Sequence, residues 1–442
     1  MTKRGGLVRT TLLLLPVQVI FRAGEALLPL LLASWFGRSH ATDVYNFAWA
    51  VFLFAGSLVF SAYHDSALVP ILAEAKLKEP ASVNRICGSL LAYTWLIGGG
   101  LALLVAAFAS GWFRLRYDGA DFRLAIMMVP AFALQLMFMS TKTFFAATLS
   151  AHHAFVPYPV ASAAGVLTTL LFIWWSKASL GLLSVAVATL LGEAVASLIL
   201  ATVAIRYFGI LPRLTLSRPE PVLRFARLAA SEVAGGAVTR VNPVVDQLMA
   251  GLAGMAGGAT LLRYSNDVSS LPTSILQVTF LSVLLAHLAD DFASRDIARI
   301  KRTVKRATAW VLLILGAASV VLFVIRRPLL ALVFLHGEMD AAGIDRMASI
   351  FPYHLVGLAP FGVLLVLSRA HVAIQNSGIM FAMGVLNAGL NVTLNLILVR
   401  HLGVEGIARS TSLVHTAIAI AFWIAFQKKI LTVGAPRAPE TA

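Results

Sequence analysis

The residues that could do chemistry in this sequence stand singly inside apolar stretches. Arg22 and Glu25 lie three residues apart in "IFRAGEALLP" (20–29), and Asp65, Lys142, Glu193, Glu232, Arg240, Asp246, Arg263 and Asp267 interrupt other apolar runs. An ionisable side chain at mid-membrane costs about 2.5–3.5 kcal/mol on insertion scales, so each must face a cavity or another charge. The chemistry this pattern offers is electrostatic: holding a charged cargo, or pairing helices. Arg22 and Glu25 share a helix face at i, i+3 spacing. That placement is compatible with a structural ion pair and with the charged lining of a cavity.

Other chemistries lack their residues. The sequence contains no P-loop, nucleophile elbow or HExxH pattern. Cys87 is the single cysteine, which excludes an intrachain disulfide and a cysteine metal cluster. His152, His153, His336 and His354 show no metal-ligand spacing, and the acids of "HGEMD" (336–340) read as solvated loop charge. No large hydrophilic loop carries paired carboxylates for sugar chemistry. The reading is a secondary transporter, not an enzyme, with no cofactor and no ATPase of its own.

The elements that must position these charges are membrane spans. Of 442 residues, 59% are hydrophobic and 12% charged, against about 25% charged in an ordinary soluble domain. Apolar runs of about 20 residues, enough to cross a bilayer, recur along the chain. We place twelve: 8–36, 44–70, 87–112, 124–149, 155–176, 180–205, 226–254, 258–288, 307–335, 347–371, 377–399 and 404–427. The intramembrane charges concentrate in spans one, two, seven and eight. Asn387, Asn391 and Asn395 form an i, i+4, i+8 stripe on span eleven, which suits hydrogen bonding between helices. The glycines of "GLAGMAGGA" (251–259) suit a tight turn between spans seven and eight.

The net charge of +15 could suggest nucleic acid. Placement points instead to topology and to anionic lipid headgroups, because the basic residues fall mainly in short breaks between spans. With the N-terminus inside, 21 of 35 basic residues fall on the inner side and 10 on the outer, with Arg22, Lys142, Arg240 and Arg263 inside spans. Both termini are therefore expected in the cytoplasm of a multi-pass inner-membrane protein.

The halves echo each other. Span two ends "VPILAEAKLKEPASVNRI" (69–86) and span eight ends "LLAHLADDFASRDIARI" (284–300): an apolar helix end, an Ala-acid pair, then a basic amphipathic stretch. A six-span offset makes the repeat parallel. The expected organisation is an all-α polytopic protein of two parallel-repeat six-helix bundles around a central cavity. The lobes would be 1–210 and 226–430, with a proline-rich linker at 211–225 and a tail at 431–442.

Two stretches carry a family resemblance: "FGRSHATDVYNFAWAVF" (36–52) and "ALVPILAEAK" (67–76). They resemble the MviN/MurJ-type lipid II flippases of the MOP transporter superfamily, which carry a Phe-Gly-x-x-x-x-Ala-Thr-Asp step and a Val-Pro-Ile-Leu-Ala-Glu helix end at similar spacing. "RYSNDVSSLPTSILQV" (263–278) is similar to the family's span-eight opening, and "PLLALVFLHGEMD" (328–340) to its span-nine exit. The resemblance implies two lobes alternating between inward and outward openings. It implies as cargo an undecaprenyl-pyrophosphate-linked saccharide whose headgroup crosses inside while its tail stays in lipid.

Arg22 matches the family's first cavity arginine and Asp43 its Ala-Thr-Asp acid. Departures accompany the match. The family's second span-one arginine falls at Leu28, its span-two pair at Gly56-Ser57, and its span-eight Asp-Arg pair at Asn266-Asp267. Arg263, Lys142 and Arg240 are the substitutes for that positive charge. Twelve spans are placed, two fewer than in the lipid II flippases. This favours a paralogue exporting another lipid-linked unit, such as an exopolysaccharide or O-antigen repeat, alongside polysaccharide biosynthesis enzymes. Coupling to a cation or to the membrane potential stays open. So do two rivals: a MATE-like cation-coupled antiporter and a non-transporting scaffold of a polysaccharide assembly.

Overall fold

The computed structural model describes residues 24, 27–58, 68–78, 82–228, 240–294, 296–374, 376 and 378–433. Arg22, Glu25, Asp65 and Glu232, with most of span one and part of spans two and seven, lie outside them. Among the described residues the chain is helical, with no strand. Eight helices are long and apolar enough to cross a bilayer. The fold is that of an all-α, multi-pass membrane protein.

In chain order the helices are α1 (Leu27–Phe36), α2 (His40–Gly56), α3 (Val69–Lys78), α4 (Val83–Arg116), α5 (Gly119–Ala151), α6 (Pro157–Leu180) and α7 (Leu183–Phe208). The second half gives α8 (Asn242–Leu252), α9 (Gly258–Ser269), α10 (Leu271–Leu276), a π-helical segment (Gln277–Leu281), α11 (Ser282–Ala293) and α12 (Ile297–Val324). It closes with α13 (Arg326–Phe334), α14 (Ala341–Ala373), α15 (Gly378–Leu402) and α16 (Val404–Val433). The expected spans three to six and ten to twelve coincide with α4–α7 and α14–α16.

Span nine differs. Asp296 caps α12 by accepting from the Arg299 amide at 2.8 Å, so the basic stretch after it is the first turns of the span itself. The helix then stops at Ile325, because Pro328 offers no N–H to the Val324 carbonyl.

Two compact units divide the chain, residues 1–244 and 245–442. In the first, α6 lies along α7 at a close crossing where a Cβ on Gly165 would stand 2.6 Å from the Gly192 carbonyl oxygen. Small residues let membrane helices approach this way, and dispersion at short range replaces the hydrophobic effect that lipid cannot supply. Leu72, Leu90, Phe144 and Leu200 build a core in which Ile210, Val222 and Phe225, from beyond α7, also take part. In the second unit α14 packs along α12 and α16. Gly254 and Gly257, both at φ 75°, form the turn between α8 and α9, a conformation that side chains with a Cβ disfavour.

Candidate functional site

The charges inside the apolar helices are held in distinct pairs. Lys142 on α5 meets Glu193 on α7 at 2.7 Å, both largely buried. One turn to either side of Glu193 on α7, Ser197 donates to the Phe138 carbonyl at 2.6 Å and Thr189 to the Gln135 side chain at 3.1 Å. Lys142 therefore stitches α5 to α7. Its charge is matched locally, which weakens it as an anion ligand.

Arg240 donates to the carbonyl of Ser57, just past the end of α2. The contact ties Arg240 to the backbone that follows α2, with the guanidinium as donor. Lys142 and Arg240 fall in the first unit; Arg263 and Asp267 fall in the second.

Arg263 and Asp267 pair across one turn of α9 at 3.8 Å, with the Asp267 side chain 41% exposed. The pair is loose, longer than a hydrogen bond, so it is an electrostatic pairing and not a bonded fork. The helix carrying it is interrupted. Ser269 and Ser270 hydroxyls turn back to the Asn266 and Asp267 carbonyls at 3.0 and 3.1 Å, Pro272 follows, and a π-segment begins at Gln277. Interrupted spans are tolerated beside protein or a water-filled cavity, not in open lipid.

Asp43 sits at the start of α2, 4% exposed. Ser39 and Thr42 form a capping box around it: the Thr42 amide donates to Ser39 Oγ at 3.2 Å and the Ser39 amide to Thr42 Oγ1 at 2.7 Å. The Ala-Thr-Asp step is thus a helix start, with Asp43 at the positive end of the helix dipole. Tyr117, at the end of α4, lies beside it. Burial, and then the Asp43 carboxylate, push the Tyr117 hydroxyl up to about 12.

Two features go beyond the residues read as a site from sequence. Asn391 and Asn395 on α15 both donate to Asp246 on α8, at 3.1 and 2.8 Å, and Thr411 on α16 joins the same carboxylate. Asn391 and Asn395 form an interhelical hydrogen-bond set, as the spacing suggested, whereas Asn387 Oδ1 is buried without a partner. The set places one carboxylate among amide and hydroxyl donors, which stabilise its charge and leave a proton as the cation it is suited to take up. Arg409, which charge counting groups with the outer connections, lies one turn inside α16. Its guanidinium stacks on the Tyr353 ring at 4.0 Å and bonds the Tyr353 hydroxyl. Its four-residue spacing from Glu405, which holds Ser349 at 2.9 Å, was the available signal.

Comparison with known proteins completes the description. The sequence profile described as "Lipid II flippase MurJ" matches residues 32–437. A probable lipid II flippase MurJ of Vibrio cholerae is 22% identical over 426 residues, covering 92% of this chain and 80% of its own. Among solved structures, a lipid II flippase MurJ in an inward closed conformation superposes with a TM-score of 0.79 at 17% identity, over 97% of this chain and 90% of its own. An inward-facing multidrug resistance MATE transporter of the MOP superfamily gives 0.80 at 14%, over 95% and 96%. Such structural likeness shows the fold alone, and it does not separate the two classes. The sequence profile does.

Proposed function

Because the chain belongs to the lipid II flippase MurJ family, we propose that it moves an undecaprenyl-pyrophosphate-linked oligosaccharide from the inner to the outer leaflet by alternating access. The family match over residues 32–437 carries this reading. The finer assignment, an exopolysaccharide or O-antigen unit rather than lipid II, is supported by the arginine positions that this sequence redistributes. Arg22, Arg240 and Arg263 are the proposed pyrophosphate contacts, with Glu25 and Asp267 holding two of them in place. Lys142 and Asp43 keep supporting roles, as a helix stitch and a helix start.

An arginine suits the cargo because its planar fork meets two phosphate oxygens at once, where a lysine offers a point charge. A charge-assisted bond of this kind contributes about 1.5–3 kcal/mol. Coupling, in this reading, is to a proton taken up at Asp246. The MATE-like rival shares the fold but calls for an acidic and aromatic pocket, which three intramembrane arginines oppose.

The test is made in cells depleted of the native chain. Lipid-linked oligosaccharide should accumulate on the inner leaflet, and Arg22→Ala should fail to clear it while reaching the membrane at normal level. Arg22→Lys should restore clearance in part. Normal clearance by a normally inserted Arg22→Ala protein would make this arginine a structural stitch.

A further inference from the structure

The segment after α7 carries a surface that the transport reading does not use. Residues 209–219 have no regular structure, yet they are tied along the first turns of α4. The Arg213 amide donates to the Asn84 carbonyl at 3.2 Å and the Leu211 amide to Asn84 Oδ1 at 3.1 Å. Ser89 Oγ bonds Thr215 Oγ1 at 2.9 Å and Ser217 Oγ at 2.8 Å, and Tyr93 donates to the Leu216 carbonyl at 2.9 Å. Gly88 permits the approach, since a Cβ there would collide with the Arg213 backbone. Residues 220–228 then turn helical; Val222 and Phe225 enter the core, and Arg224 reaches Glu74 at 2.7 Å.

With its inner side so fixed, this strap turns leucines outward. Leu211, Leu214, Leu216 and Leu223 are 57%, 55%, 62% and 50% exposed. Arg213 and Arg218 stand between them and Arg206, Arg224 and Arg227 flank them, all exposed, against the single acid Glu220 in this stretch. The strap runs along α4 from Asn84 to Tyr93, and two residues later α4 presents Trp95, Leu96 and Ile97 outward, the beginning of its lipid-facing surface. Tyrosine and tryptophan at such a level mark the headgroup zone. Pro212 and Pro219 remove two amide donors from the irregular backbone and Pro221 one from the first turn after it, which lowers the cost of seating the strap where water is scarce.

We propose that this strap is an inner-leaflet docking surface for anionic phospholipid: its leucines dip among the acyl chains and its arginines hold the phosphates. Alternating leucine and arginine fits that boundary, and charge complementarity selects the anionic lipid, at about fivefold in occupancy for each arginine. The proposal is independent of the cargo.

The test uses the full chain with Cys87→Ala and a nitroxide at Leu214→Cys or Leu216→Cys. It is reconstituted in phosphatidylcholine vesicles with or without phosphatidylglycerol. Collisions with oxygen should exceed collisions with a water-soluble nickel chelate at both positions, as at a Leu104→Cys control on the outward face of α4. The excess should grow when phosphatidylglycerol is present. The triple variant Arg206→Gln, Arg213→Gln, Arg227→Gln should lose that growth with the Leu104 control unmoved. Nickel-chelate dominance in both vesicles would show a strap facing water and overturn the proposal. Immersion indifferent to phosphatidylglycerol would overturn the anionic assignment.

Discussion

Spans eight and ten belong to the same unit, both contain proline, and they answer it differently. Span ten, α14, runs 33 residues without a break through Pro352 and Pro360. Span eight is divided into α9, α10, a π-segment and α11 around a single Pro272. The difference lies in where the carbonyls near each proline find added donors. On α14 they are met from outside: Ser412 donates to the Tyr353 carbonyl, Ser319 to Leu355 at 3.0 Å, and His415 to Gly357. On span eight they are met from within, by Thr273 and Ser274 hydroxyls turning back to Ser270 at 2.7 and 3.2 Å. Span ten is bound to its neighbours and serves as scaffold. In span eight the stretch around Pro272, which follows Arg263, is bonded by its own hydroxyls.

The largest expected effect breaks the scaffold. A Cβ on Gly357 would stand 2.5 Å from Ser412 Oγ and 2.8 Å from Ser412 Cα, backbone that cannot step aside. Gly357→Ala should lower stability by about 1–3 kcal/mol, read as a drop in the thermal unfolding midpoint of the purified protein. The matching change at the start of span eight, Gly258→Ala, meets the side-chain ends of Val404 and Met255. Its midpoint should fall far less. Equal losses would remove the distinction between the two spans.

A middle-sized effect sharpens it. His415→Ala leaves the Gly357 carbonyl without its outside donor, at a cost of about 1–2 kcal/mol. Hydrogen exchange should rise around Pro360. Adding Pro360→Ala, which returns an amide donor to the neighbouring Val356 carbonyl and so firms the same turn, should return part of the protection. If the double variant exchanges as fast as the single one, the proline does not explain why α14 needs His415.

The smallest effect on stability falls in span eight. Pro272→Ala should change the unfolding free energy by less than about 1 kcal/mol while slowing exchange over 270–277 and reducing transport. A stable, fully active Pro272→Ala protein would make the interruption incidental.

Much of the fold was legible in the sequence, because apolar length and turn signals write long spans plainly. The limits of α4 to α7 and α14 to α16 follow from those signals within a few residues. The start of span nine did not, because "RDIARIKRTVKR" is polar enough to resemble a connection, and only the Asp296 cap reveals that it is helix. Site residues were legible as charges but not as partners. Lys142 and Glu193, 51 positions apart, read as two separate ionisable groups until α5 and α7 were laid together. Arg409 was hidden by lying one turn past a span boundary. Asn391 and Asn395 were legible as an interhelical device, although their acceptor, Asp246, stands 145 residues from Asn391.

The central claim is that the chain translocates a lipid-linked pyrophosphate saccharide with help from the arginine on span eight. The most direct measurement reconstitutes the full chain in vesicles loaded with an undecaprenyl-pyrophosphate-linked saccharide. It then follows the fraction of saccharide accessible from each leaflet over time. The native chain should move the saccharide between leaflets, and Arg263→Ala should slow this about tenfold or more at an unchanged unfolding midpoint, the loss of one charge-assisted phosphate contact. A native chain that leaves the saccharide in its starting leaflet, or an Arg263→Ala variant as fast as the native protein, would contradict the account.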